Sequence, residues 1–219
     1  MAVSALSDLE LGKIDSFLGA NKLSDLAIIF TDIQGFMGLT ELRGDAYASK
    51  LRRFHDKLVD GVIHELHGVV IKHCGDSAMG VFRDPRDAVV SALTVQKALR
   101  EFNARKPEGV LDDIIVRIAL HFGRVCAEME CGRNPDVFGR HVNRTARIET
   151  LTSGGQIYTS REFYEKVKDP PPLFEESPIA WSFHGTHPVK GLPEGIDIYE
   201  VSESALKGSH RPPRPHPKS

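Results

Sequence analysis

The hydrophobic and polar positions alternate between two periods along this chain, and the changes of period mark its elements. Leu26-Ala-Ile-Ile-Phe30 is an unbroken apolar run of strand length, the pattern of a central strand buried on both faces. From Asp45 to Leu66 the apolar residues Tyr47, Leu51, Phe54, Leu58, Val62 and Leu66 fall on one helical stripe, and Gly68 follows as a helix C-terminal glycine would. Val69–Ile71 and Ala78–Phe82 flank the polar turn Cys74-Gly-Asp-Ser77, which reads as strand, tight turn, strand. Pro85 opens a second helix that reaches Asn103, since proline suits a first helical turn. Ile114–Phe122 and Val125–Met129 then predict two strands, Gly139–Leu151 a helix, Gln156–Thr159 a short strand, and Arg161–Lys168 a short helix. Trp181–Val189 and Ile196–Val201 predict the closing strands.

The opening order, βαββαβ, predicts an α+β chain with a ferredoxin-like core over residues 26–201. Ahead of it, residues 1–25 carry a weaker stripe of Leu6, Leu9, Ile14, Phe17 and Leu18, expected to form a helical arm and linker that packs on the domain. Residues 202–219 hold four basic residues, four prolines and one acid, the composition of a flexible tail.

Composition narrows the functional classes. With 219 residues, 41% apolar and 26% charged, the chain is an ordinary globule large enough for one real core. A net charge of −2 gives no bulk electrostatic reason to expect nucleic acid or a membrane surface as partner. No apolar run approaches the roughly 18 residues of a membrane span, and no basic-then-apolar leader opens the chain. Cys74, Cys126 and Cys131 are odd in number and lack a CxxC spacing, which points to free thiols and a cytoplasmic location. The ten histidines form no ligand spacing; His55, His64 and His67 read as packing or surface residues.

Three polar motifs interrupt this pattern. Phe30-Thr-Asp-Ile-Gln-Gly-Phe36 puts Asp32 at a strand end, and Lys72-His-Cys-Gly-Asp76 puts Asp76 in the hairpin turn. Either aspartate alone is an ordinary turn or strand-end acid. Together in one sheet they can meet and hold divalent cations, and hard carboxylate oxygens suit Mg²⁺ or Mn²⁺. In Asp136-Val-Phe-Gly-Arg-His-Val-Asn-Arg-Thr-Ala-Arg147, the spacing of Asn143 and Arg147 by four residues puts both on one helix face, with Val142, Ala146 and Leu151 toward the core. Arg144 is out of register with that pair and reads as a surface residue.

In combination and order these motifs resemble the catalytic core of class III nucleotidyl cyclases, over roughly residues 26–201. The resemblance implies a homodimer with shared sites and a nucleoside triphosphate substrate cyclised with loss of pyrophosphate. It places two divalent ions, Mg²⁺ or Mn²⁺, on Asp32, Asp76 and the Ile33 carbonyl. Arg147 would stabilise charge on the α-phosphate and Asn143 would orient the ribose. Lys190 falls where relatives bind the β- and γ-phosphates. Lys72 and Asp136 stand at the positions that read adenine, lysine toward ring N1 and aspartate toward the exocyclic amine. Met37 departs from the family, which commonly has a hydroxyl residue there. ATP is therefore the first expectation. Cytosine presents the same donor–acceptor edge as adenine; uracil presents the reverse, and a small slide would let Lys72 meet O4 and Asp136 meet N3–H. A chain that is almost only catalytic domain also resembles the bacterial pyrimidine cyclases of anti-phage defence. A third expectation is a catalytically dead homologue that binds a nucleotide or a partner; the presence of Asp32, Asp76, Asn143 and Arg147 argues against it.

Overall fold

The structure, a computed structural model, describes residues 23–106, 111–128, 136–168 and 179–203. The chain runs β1 (Leu23–Ile33), α1 (Phe36–Arg43), α2 (Asp45–Glu65), β2 (Val69–Cys74), β3 (Ser77–Phe82), α3 (Pro85–Arg105) and β4 (Val116–Glu128). It continues through β5 (Asp136–Phe138), α4 (Arg140–Leu151), β6 (Ile157–Ser160), α5 (Arg161–Val167), β7 (Ile179–Val189) and β8 (Leu192–Glu203). The strands form one sheet in the order β2-β3-β1-β4-β6-β8-β7, with β5 paired to β4. The first four strands, with β1 antiparallel to both β3 and β4, have the ferredoxin-like order expected from the sequence.

The central strand is buried on both faces, as its unbroken apolar run requires. Ala27, Ile29 and Ile33 face α2, α3 and α5, where they join Leu51, Val59, Ile63, Ala92, Leu99 and Phe163. Leu26 and Ile28 face the other way and pack with Ile71, Met79, Val81, Val125 and Val137. Helix α4 covers part of this second face through Ile148, which packs on Ala119, Tyr158 and Ile198.

Several expectations are corrected. β1 starts at Leu23 rather than Leu26, so the last residues assigned to the arm open the strand; residues 1–22 lie outside the described residues, as do 204–219 of the tail. Phe36–Arg43 is a helix, an element the sequence pattern did not predict. The two strands predicted at 114–129 are one strand, β4, because β1 pairs along it from Ile33↔Val116 to Leu23↔Cys126. Gly123, between the two predicted strands, lies within it; a Cβ there would run into the His141 ring. The buried face of α2 is Ala48, Leu51, His55, Val59 and Ile63, turned one residue from the predicted stripe. Tyr47, Phe54, Leu58, Val62 and Leu66 form its half-buried flank.

Candidate active site

Asp32 is the penultimate residue of β1 and only 8% exposed. It lies opposite Ser77 of β3 and Arg117 of β4. One carboxylate oxygen accepts from the Ser77 hydroxyl at 2.6 Å, and the other from Arg117 Nε at 2.8 Å. Arg117 also ion-pairs with Glu149 from α4. Asp76 occupies the two-residue β2–β3 turn behind Gly75, whose φ of 67° is a left-handed conformation that favours glycine. Burial pushes the Asp76 carboxyl up, and the adjacent Asp32 pushes it further. Glu149 is pushed up to about 7 by burial, opposed by Arg117 and reinforced by Asp32 and Asp76.

Asp32 and Glu149 thus share one guanidinium while Asp76 lies beside Asp32, an excess of negative charge that a hard divalent cation would offset. Asp32 and Asp76 fit that role. The Ile33 side chain is buried in the core, which leaves only its carbonyl to contribute. Among the described residues, no group of three or more His, Cys, Asp or Glu side chains is arranged to hold a metal ion. Ser77, Arg117 and Glu149 escaped the sequence reading. A lone arginine in the apolar run Val116-Arg-Ile-Ala-Leu120 was the available signal.

Lys72 reaches this same face of the sheet through a β-bulge. The β2–β3 register steps from Val70↔Gly80 to Lys72↔Met79, which puts Lys72 on the side of Met79 and Ser77. The next residue, His73, turns to the helix side and meets Asp56 and Asp60 of α2 at 3.4 and 3.1 Å. Lys72 Nζ donates to both carboxylate oxygens of Asp136, at 2.6 and 2.9 Å, and the Val137 amide donates to Asp136 at 2.8 Å. Both groups stay half exposed, so the pair is open to exchange with a ligand.

Helix α4 buries His141, Thr145 and Ile148 and leaves Asn143 and Arg147 exposed on one side, as their spacing predicts. Arg144 is not a free surface residue: it pairs with Glu162 at 3.2 Å and Glu194 at 3.5 Å. Lys190 is exposed in the β7–β8 turn. β6 runs parallel to β4 and β8 antiparallel to β6, so this turn lies at the end of the sheet opposite Asp32. The structure does not bring Lys190 to Asp32 within one chain. Of the other thiols, Cys126 is free and half buried, and Cys131 lies outside the described residues.

Residues 18–202 match the adenylate and guanylate cyclase catalytic domain. The chain is 28% identical over 189 residues to an adenylate cyclase of Mycosarcoma maydis, covering 79% of this chain and 8% of that protein. It is 32% identical over 165 residues to an adenylate cyclase of Mycobacterium bovis, covering 68% of this chain and 35% of that protein. The chain therefore spans well under half the length of these curated relatives. The fold matches the adenylyl cyclase CyaB from P. aeruginosa with a TM-score of 0.73 at 24% identity, over 83% of this chain and 95% of that one. It also matches the guanylate cyclase domain of RhGC from Catenaria anguillulae in complex with GTP, with a TM-score of 0.71 at 20% identity, over 84% and 99% of the two chains. With the family match extending over most of the sequence, the chain belongs to the adenylate and guanylate cyclase catalytic domain family.

Proposed function

We propose that this chain is a cytoplasmic nucleotidyl cyclase that converts ATP to cyclic AMP and pyrophosphate as a homodimer with two shared sites. The observation that carries the reading is the meeting of Asp32 and Asp76 at one end of the sheet, where burial, helped by Asp32, pushes the Asp76 carboxyl up. Asp32, Asp76 and the Ile33 carbonyl would hold two divalent ions, Mg²⁺ or Mn²⁺. Bound there, the ions would acidify the ribose 3′-hydroxyl and neutralise the triphosphate.

The chain's own groups account for the rest. In the reaction the 3′-oxygen bonds to the α-phosphorus, the bond to the bridging oxygen breaks, and pyrophosphate leaves with that electron pair. Arg147 donates to the α-phosphate oxygens where charge builds, and Asn143 holds the ribose for in-line attack. Lys190 neutralises the outer phosphates. Arg117, beside Asp32, adds a second cation at the metal end. Lys72 and Asp136 exchange their mutual ion pair for the base edge: Lys72 donates to ring N1 and Asp136 accepts from the exocyclic amine.

The exposed Asn143–Arg147 face, and Lys190 at the sheet end away from Asp32, support a site completed by a second chain. The adenylate cyclase names among the relatives favour adenine. The Lys72–Asp136 edge also suits cytosine, so a pyrimidine cyclase making cyclic CMP or cyclic UMP in anti-phage signalling is the second reading. Incubating the protein with each of the four triphosphates and Mn²⁺, with products identified by chromatography and mass, tests both. Cyclic AMP as dominant product supports the first; cyclic CMP or cyclic UMP supports the second. Absence of any cyclic product moves the chain to a nucleotide- or partner-binding role.

A further inference from the structure

Away from the metal end, two histidines twenty residues apart in sequence meet in the interior. His121 of β4 is 1% exposed and His141, in the first turn of α4, is 9% exposed. His121 Nε2 and His141 Nδ1 are 2.7 Å apart. On its far side, His121 Nδ1 lies 2.6 Å from the Ser160 hydroxyl. On the other, Arg140 Nε donates to His141 Nε2 at 3.3 Å.

These contacts select one tautomer for each ring. Arg140 needs an acceptor at His141 Nε2, so the His141 proton sits on Nδ1 and is donated to His121 Nε2. The His121 proton then sits on Nδ1 and is donated to Ser160 Oγ. The Ser160 hydroxyl in turn hydrogen-bonds the Glu162 carboxylate. Every donor in this line points the same way, and one proton bridges the two rings.

The pair stands where a helix cap would. The residue before α4, Gly139, has no side chain to cap it, so the first turn is anchored by His141 instead. Gly123 makes room, since any Cβ there would run into the His141 ring. Asn143 follows two residues later, and its amide donates to the Gly139 carbonyl at 3.2 Å.

We propose that the His121–His141 pair positions the helix that carries Asn143 and Arg147, and holds it only while a single proton bridges the two rings. The inference rests on the cyclase reading for its consequence in turnover, though not for its structure. A second proton on His121 must sit on Nε2, which leaves two N–H groups facing each other at 2.7 Å with no acceptor between them; one on His141 must sit on its Nε2, where it takes the acceptor from Arg140.

The charged surroundings resist that protonation. Burial first, then His141 and Arg144, push His121 down to about 4, against an opposing pull from Glu162. Burial, then Arg140 and Arg144, push His141 down against Glu162 and Asp25. Asp25 is itself paired with Arg124. The device is therefore locked near neutral pH and opens in acid.

The test is a pH titration of the full ¹⁵N-labelled chain from about pH 8 to about pH 4, the range of histidine charge change. It follows the histidine ring nitrogens and the amides of Asn143 and Arg147, in wild type and His141→Gln. The expected result is that both rings stay neutral through pH 6.5 and titrate as one unit in acid. The Asn143 and Arg147 amides should move with the same midpoint in wild type, and not in His141→Gln. Turnover should show the same acid midpoint in kcat, falling about tenfold or more, with KM changing far less, because misplacing a positioning helix costs attack geometry. Rings that titrate independently near 6.5, or Asn143 and Arg147 amides that ignore the ring titration, would overturn the proposal. The wild-type titration decides by itself, so a His141→Gln chain that fails to fold leaves the test intact. Loss of all turnover with the coupled titration intact counts against the cyclase reading and not against this one.

Discussion

Arg117 holds Asp32 across the β1–β4 pair, its Nη2 2.6 Å and its Nε 2.8 Å from the same carboxylate oxygen. The same guanidinium ties Glu149 of α4 to this end of the sheet. In Arg117→Ala, Asp32 and Glu149 lose their shared cation. Apo stability should fall by about 1–3 kcal/mol, the scale of a lost charged hydrogen bond. Mg²⁺ or Mn²⁺ should recover more of the melting temperature in this variant than in wild type, because the metal supplies the missing positive charge. Melting curves with and without divalent ions check this; equal metal-induced shifts in the two proteins would contradict it.

Catalysis should depend on the two aspartates and the arginine. Asp32→Ala, Asp76→Ala and Arg147→Ala should each lower kcat by at least about 100-fold, the effect of removing one electrostatic group from a transition state. Turnover should require Mg²⁺ or Mn²⁺ and vanish on chelation. Near-normal activity in Asp76→Ala would refute the two-ion assignment.

A shared site makes a distinct prediction. Asp76→Ala and Arg147→Ala chains, each inactive alone, should regain activity when mixed, because one site of the mixed dimer keeps all its groups. Demonstrated subunit exchange without recovered turnover would place the whole site in one chain.

The Lys72–Asp136 pair predicts specificity. Asp136→Ala removes the acceptor for an exocyclic amine and leaves Lys72 without its partner. KM for the preferred triphosphate should rise about 5- to 150-fold, the 1–3 kcal/mol of a bidentate base contact. Discrimination against GTP should shrink, since the guanine O6 no longer faces a carboxylate. Competition assays with paired triphosphates measure both effects.

His73 predicts an alkaline limb in stability. Asp56 and Asp60 raise it to about 10, against the cost of burial. The folded state therefore keeps a proton that the unfolded chain loses near 6.5. This stabilisation is complete below that pH and is lost as pH rises toward about 10. Solvent screening at a partly exposed site brings it to the order of 1 kcal/mol. In His73→Gln the stability curve over that window should flatten, which denaturant titrations at several pH values would show.

The legible parts of this protein were those set within one element or one turn. The apolar run of β1 required burial on both faces, Gly75-Asp76 required a tight hairpin, and the four-residue spacing of Asn143 and Arg147 required one helix face. Each follows from backbone geometry that repeats locally. What only the tertiary structure decided involved phase and distance. The bulge in β2 turns Lys72 toward Asp136 and His73 toward α2, and no local period announces a change of phase. The continuity of β4 through Gly123 was not legible because its missing side chain is explained by His141, from another element. Arg117 and Glu149, or His121 and His141, lie far apart along the chain and meet only because sheet order and the docking of α4 bring them together. Local periodicity specifies which way a side chain points within its element; the packing of the elements specifies what it then touches.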